Sequence, residues 1–261
     1  MAARSAAAPR PLLVEHGLAE GLVAAALLGW WASARGLPEF VLPGPVAVAS
    51  RLLDLFVDPA FLAHTFASTW RVVAAVALAL VIGGALALLA RAVPPLELVV
   101  HGRILPVLNS FPSIGWAILA AIWFEVGDVA VIFVQVAILI PFCLINLAAG
   151  LREIDREIVE MAHSFTRRPD RVLARVVLPL LAPYIVAALR IAYGIGWKIS
   201  LVSELLGAQT GLGALMLRAQ TSSDTATVVA ACFAIVILYA AGERLVLAPL
   251  QRRLTGGTHQ H

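Results

Sequence analysis

Long apolar runs, more than any motif, limit what this chain can fold into. A helix needs about 20 mostly apolar residues to cross the hydrocarbon layer of a bilayer, and residues 72–90, 129–149, 180–207 and 226–248 each supply such a run. The stretch 104–124 is nearly as apolar but is interrupted by Pro106, Asn109 and Pro112. It is expected to be a broken helix whose freed backbone groups are satisfied by neighbouring protein. The weakest run, 18–34, carries Glu20 and ends in Ala32-Ser33-Ala34, which looks like a leader-cleavage site behind Arg4 and Arg10. Trp30 and Trp31 fit a membrane-interface anchor better, so six spans are expected. With 61% hydrophobic and 13% charged residues, the chain departs from the roughly 25% charge of a soluble domain. That balance excludes a soluble enzyme, a nucleic-acid reader and a disordered chain, and no strand alternation of an outer-membrane barrel is visible. Cys143 and Cys232 each lie in an apolar run and read as small buried hydrophobes rather than a disulfide.

Orientation follows from the arginines, because short cytoplasmic loops retain basic residues. With both termini inside, the inner segments hold thirteen arginines, six of them from Arg152 to Arg175, and the outer segments only Arg35, Arg51 and Arg218. The net charge of +3 therefore serves membrane orientation, not nucleic-acid binding. The expected organisation is a cytoplasmic segment 1–17, a transmembrane domain 18–250 with an inner loop 150–179, and a tail 251–261, in a bacterial inner membrane. The outer loop 35–64 holds Pro38, Pro43, Pro45 and Pro59 and should be irregular or a short surface helix. The outer loop 207–225, rich in Gly, Thr, Ser and Gln, should be mobile unless something docks on it.

The inner loop is more than a turn. Leu151, Ile154, Ile158, Met161 or Ala162, and Phe165 recur every three or four residues, which places an apolar stripe on a charged helix. Pro169 ends the run, since it lacks a backbone donor and disfavours helix at Arg168. A second apolar stretch from Val172 passes through Leu178-Pro179 into the fifth span. Such a helix lies either on the lipid surface or in the groove of a protein partner, with Ile158, Met161 and Phe165 as anchors.

Glu160-Met161-Ala162 followed by Leu178-Pro179 resembles the EAA loop of ABC-importer permeases. The likeness covers roughly residues 35–250. It includes Leu42-Pro43-Gly44-Pro45, His64-Thr65, Arg103-Ile104-Leu105-Pro106, Phe111-Pro112-Ser113-Ile114-Gly115-Trp116, Ile122-Trp123-Phe124, Gly194-Ile195-Gly196-Trp197, Ser203-Glu204 and Gly211-Leu212-Gly213. These segments are similar to the nitrate/sulfonate/taurine branch. The resemblance implies an all-α membrane protein of about six transmembrane helices, the type I ABC-importer permease fold, with a cytoplasmic coupling helix. It further implies a second copy of the permease, two ABC ATPase subunits that hold ATP and Mg²⁺, and a periplasmic or lipid-anchored solute-binding protein. This chain itself would bind no cofactor or metal and no nucleic acid. ATPase coupling would fall on Ile158, Glu160, Met161, Ala162, His163, Phe165, Thr166, Arg167, Arg168, Leu178 and Pro179. Glu160 and the Arg167/Arg168 pair would make charge-assisted contacts while Met161 and Phe165 fill a groove. The sequence departs from the branch twice: the family Gly after Glu-Ala-Ala falls on Thr166, and Glu125 follows Phe124 where the family has Phe-Gly.

Charge inside a bilayer demands a reason. Arg71, behind Trp70 at the outer end of the second span, can snorkel to the headgroups, and Arg190 lies shallow enough to do the same. Lys198 lies about 22 Å along a helix starting near Pro183, beyond reach of either interface. Glu204, six positions on, points to another side of the helix, so the two cannot pair. Lys198 therefore either bridges a carboxylate such as Glu125 or Asp128, or faces a cavity and lowers the barrier for an anionic solute. Asn109, Ser110, Ser113, Lys198 and Glu204 are the candidate pathway residues. Gly83-Gly84 and Gly194/Gly196 suit close helix packing. No phosphate-loop, zinc-protease or nucleophile-elbow motif occurs. The rival reading is a self-sufficient secondary transporter or channel that uses Lys198, Glu204 and Glu125 as an ion relay.

Overall fold

The computed structural model describes residues 12–255, with side chains from Glu20 to Arg253. The expected segment 1–17 and tail 251–261 thus fall largely outside the described residues. In chain order the helices are α1 (Leu12–Ala34), α2 (Pro45–Val57), α3 (Pro59–Ala92), α4 (Pro94–Ser110), α5 (Ser113–Phe124), α6 (Asp128–Glu153), α7 (Arg156–Phe165), α8 (Pro169–Gly207), α9 (Leu212–Thr221) and α10 (Thr225–Arg253). Among the described residues α3, α6, α8 and α10 are long and apolar enough to cross a membrane, and α4 with α5 makes a fifth span if the pair, bent by 88°, counts as one. The bend falls at Phe111-Pro112, inside the stretch whose prolines predict a broken helix. The sixth expected span is α1. Nearly all its described side chains are on the surface, and it is tied at its outer end, where Trp30 Nε1 donates to Pro43 O at 3.0 Å and the ring stacks near Phe233.

The centre is α6, packed on both α3 and α8. Small residues permit these close crossings: a Cβ at Gly83 would lie 2.8 Å from Cys143 Cβ, and one at Gly196 would touch Val72 and Val76 at 3.5 and 3.4 Å. Gly84 also faces α6, whereas Gly194 meets only Tyr239 and is not at a tight crossing. Around this centre sit Val72, Val76, Leu139, Cys143, Ala192 and Trp197. Cys143 is buried as expected, but Cys232 is exposed, because it falls off the α10 face of Ala230, Ala231, Ala234 and Ile235 that is buried. The outer loop 35–64 resolves into α2, started by Pro45 and closed at Asp58, whose carboxylate accepts from Ala60 N at 2.9 Å and caps α3. The outer loop 207–225 is also largely ordered, since Leu212, Gly213, Ala214 and Leu215 of α9 are buried against the body.

Three of the chain's prolines share one local device. Widened π turns occupy Val100–Ile104, Leu173–Val177 and Glu243–Leu247, each ending two residues before Pro106, Pro179 or Pro249. A proline removes one helical donor and crowds the carbonyl four residues back, and the wider turn relieves both. Leu178-Pro179, assigned by resemblance to the coupling loop, therefore sits within α8, which runs from the loop into the span.

Candidate coupling and translocation sites

The inner loop folds as a turn, a short helix, a turn and the start of α8. Its helix begins at Arg156, not at Leu151: Ile154 and Asp155 are extended, which assigns Leu151 to the buried end of α6 and shortens the expected stripe. No residue of α7 is buried. Val159 and Ala162 are half-buried toward the body, whereas Ile158, Met161 and Phe165 line the adjoining side of the helix, with Phe165 85% exposed. Their i, i+3, i+7 spacing is that of a helix whose apolar face fits a groove. Glu160, His163, Arg167 and Arg168 are exposed as well, Glu160 and His163 on the helix flank away from the stripe, and Arg168 Nε lies 3.6 Å from Asp170. Thr166 has φ −154° and ψ 133°. The backbone there is ordinary extended chain, so replacing the family glycine by threonine costs no strain, and Thr166 Oγ1 accepts from Arg168 N at 3.3 Å. The other departure behaves differently. Glu125 has φ 60° and ψ −178°, a region favourable only to glycine.

At the opposite end of the bundle the structure overturns one expectation, that of Arg71, and places Glu204 beside it. Arg71 does not snorkel: it is 1% exposed and donates to Asp128 Oδ1 from Nε at 2.9 Å, to Glu204 Oε1 at 3.2 Å and to Thr210 O at 2.6 Å. Glu204, expected in the pathway, is equally buried in this chain. Its carboxylate accepts from Ser68 Oγ at 2.8 Å and from Gly213 N at 2.9 Å as well as from Arg71. A buried carboxylate is tolerable only when each oxygen finds donors, and here α3, α8 and α9 supply them. The first amides of α9 are satisfied from outside the helix: Gly211 N donates to His64 Nδ1 at 3.0 Å and Leu212 N to Ser68 Oγ at 2.8 Å. The carboxylate thus sits at a helix N-terminus, where partial positive charge favours it. Gly211-Leu212-Gly213 has a steric reason as well. Gly211 adopts φ +110°, where a Cβ would strike Glu204, and a Cβ at Gly213 would come within 2.7 Å of Leu201 O. The hub is not evident in the sequence, whose signal for it is two costly charges, Arg71 and Glu204, in separate spans.

Lys198 bridges neither Glu125 nor Asp128; it is exposed and makes no ion pair among the described residues. It opens on a cleft of about 460 Å³ between α8 and α10, shared with Gly194, Trp197, Ile235 and Tyr239. Arg190 borders the same cleft and is engaged by Glu243 and Gln251. Asn109, Ser110 and Ser113 cluster separately at the exposed α4–α5 elbow, where Ser110 Oγ donates to Pro106 O at 2.7 Å. Within one chain, the five expected pathway residues therefore fall at three places: the elbow, the Lys198 cleft and the closed outer hub.

Residues 100–248 match the family described as the binding-protein-dependent transport system inner membrane component. The taurine transport system permease protein TauC of Escherichia coli K12 is 29% identical over 253 residues, covering 94% of this chain and 91% of that protein. A probable ABC transporter permease of Brucella melitensis is 30% identical over 87% of this chain and 92% of that protein. The putative aliphatic sulfonates transport permease SsuC of E. coli K12 is 35% identical over 56% of this chain and 55% of that protein. In structure the chain is similar to a chain of the MetNI methionine ABC transporter in an inward-facing form, with a TM-score of 0.55 and 17% identity, over 72% of this chain and 94% of that one. The bent fourth and fifth helices, the exposed loop helix and these likenesses agree: the chain belongs to the binding-protein-dependent transport system inner membrane component family, the permeases of ABC importers, and has their all-helical membrane fold.

Proposed function

We propose that this permease forms, with a second copy of itself, the pathway through which an ATP-driven importer moves a small anionic solute of the sulfonate type into the cell. Two ATPase subunits, which hold ATP and Mg²⁺, dock on the α7 helices, and an extracytoplasmic binding protein delivers the solute at the Arg71–Glu204 end. Both termini lie in the cytoplasm. The observation that carries this reading is α7 itself, a helix with no buried residue that presents Ile158, Met161 and Phe165 as an exposed apolar stripe beside the Val159–Ala162 side it turns to its own chain. The solute class rests on the names of the relatives and on Lys198, an ammonium facing a cleft without a counter-ion among the described residues.

Mechanically, α7 is three residues from α8, and α8 runs 39 residues from that turn past Lys198 and Glu204. Closure of the ATPases would move the docked α7 helices together and tilt α8 as a lever about its π turn at Leu173–Val177. That motion carries Lys198 with it and strains or releases the outer hub.

The test is co-purification of the tagged chain with its partners from native membranes in mild detergent. Phe165→Ser should reduce the retained ATPase about thirtyfold, as loss of a central anchor worth about 2 kcal/mol does, with unchanged insertion. Glu160→Ala should weaken retention and uncouple ATP hydrolysis from uptake. Wild-type retention by both variants, or solute uptake by the chain alone in liposomes under an ion gradient, would refute the importer reading.

A further inference from the structure

On the α7 side, the ends of α3, α4, α6 and α7 enclose adjoining clefts that share only Glu160 with the residues assigned to coupling. In one, of about 180 Å³, Arg91, Arg152 and Arg156 stand over a floor of Ala87, Ala90 and Ala148. Glu97 and His101 complete its wall, and Glu97 is engaged by Arg152 at 3.3 Å. Arg91 and Arg156 make no ion pair among the described residues. The same two arginines border a second cleft of about 310 Å³ whose walls are Leu88, Ala92, Ile154, Val159, Leu173 and Val177, with Glu160 at its edge. A third cleft, lined by the same three arginines and Ile154, adds Glu153 and Asp155. Arg91 and Arg152 are each the penultimate residue of a span-length helix and follow its apolar run, 72–90 or 129–149, a position that in a bilayer would fall near the headgroups.

A cationic pocket opening into an apolar slot at headgroup depth has the shape of an amphiphile, not of a free anion. We propose that this pair of clefts binds an anionic phospholipid, its phosphate between Arg91 and Arg156 and the upper part of one acyl chain between α3, α7 and α8. Occupied in this way, the lipid would fill the space behind α7 and set the angle at which the coupling helix stands off the bundle. Charge complementarity selects the headgroup: across the two clefts Arg91, Arg152 and Arg156 stand against Glu97 and Glu160, and Arg91 and Arg156 make no ion pair among the described residues.

Native mass spectrometry of the full chain, extracted with its partners and exchanged into mixed phosphatidylglycerol and phosphatidylcholine micelles, tests this. Wild type should retain phosphatidylglycerol in preference to phosphatidylcholine. Arg91→Gln with Arg156→Gln should lower that retention by about tenfold or more, since each basic group at a membrane surface strengthens binding to anionic lipid severalfold. Arg252→Gln with Arg253→Gln, an equal loss of charge elsewhere, should not. Arg91→Lys with Arg156→Lys should keep most of the lipid, which guards against a variant that has merely misfolded. Ala92→Trp, which fills the slot and leaves the arginines, should also lose the lipid. Three results would overturn the proposal: equal retention by every variant; competition by glycerol phosphate that is indifferent to Ala92→Trp, which marks a free-anion site; or displacement of the lipid whenever the ATPase is bound, which assigns the clefts to that interface.

Discussion

At one end of the bundle Arg71 and Glu204 are each 1% exposed and find their partners within the chain, whereas at the other end α7 buries no residue and leaves Phe165 85% exposed. The contrast reflects what each kind of group requires. A buried charge must be compensated where it lies, because an unpaired one costs several kcal/mol, so the outer hub is complete in one chain. An exposed apolar stripe loses free energy only in proportion to its area and can wait for a partner. The Arg71–Glu204 end is therefore satisfied within the chain, whereas the α7 end leaves an apolar stripe uncovered.

This contrast can be broken most forcefully at the hub. Arg71→Ala leaves Glu204 buried without its cation and should cost about 3–5 kcal/mol, read as a lowered unfolding midpoint in detergent. Glu204→Gln, which still accepts from Gly213 N and Ser68, should cost less. Phe165→Ser, by contrast, should leave the midpoint unchanged while ATPase retention falls. Next in size, Gly213→Ala presses a methyl group against Leu201 O and Glu204 and should destabilise by about 1–3 kcal/mol; an unaltered midpoint would mean α9 sits more loosely than described. Glu125→Gly should stabilise the chain by about 1 kcal/mol, the relief of an unfavourable φ exceeding the added freedom of the unfolded glycine. Transport by that variant would show whether the strain at the outer turn also serves function.

The smallest expected effect is pH-dependent. Burial acts to raise the Asp224 carboxyl, but bonds from the Thr227 hydroxyl and amide, with Arg51 nearby, outweigh it and hold the group below the usual carboxylate value. A carboxyl lowered by folding stabilises fully above its unfolded pKa of about 3.9 and loses that contribution as pH falls toward the folded value. The midpoint gap between wild type and Asp224→Asn should accordingly be constant from neutral pH to about 5 and close in stronger acid. A gap that persists there would mean the carboxylate charge is not what anchors α10.

Much of the α7 end is legible in the sequence, because a stripe such as Ile158, Met161, Phe165 is a property of neighbouring turns, and because Pro169 disfavours helix at Arg168 before it, although Pro141 and Pro183 lie inside helices here. Two details are not, for local reasons. The helix starts at Arg156 because Ile154 and Asp155 take extended backbone, which periodicity does not register, and Thr166 is unstrained because the turn there uses no glycine-only angle. The outer loop 207–225 reads as mobile from its polar composition, which hides four buried residues at the start of α9.

What the sequence determined by itself is the set of long apolar helices, their interruption at Pro112, the amphipathic loop helix and the family, all of which depend on residues within a few turns of one another or on motif spacing. Only the tertiary structure decided where the charges go. Arg71 and Glu204 are 133 residues apart in sequence, and hydropathy marks each as costly without naming its partner. Their meeting, and the exposure of Lys198 just six residues before Glu204, depend on how α3, α8 and α9 cross, because a helix turns successive residues toward different neighbours and only the packed bundle assigns those neighbours.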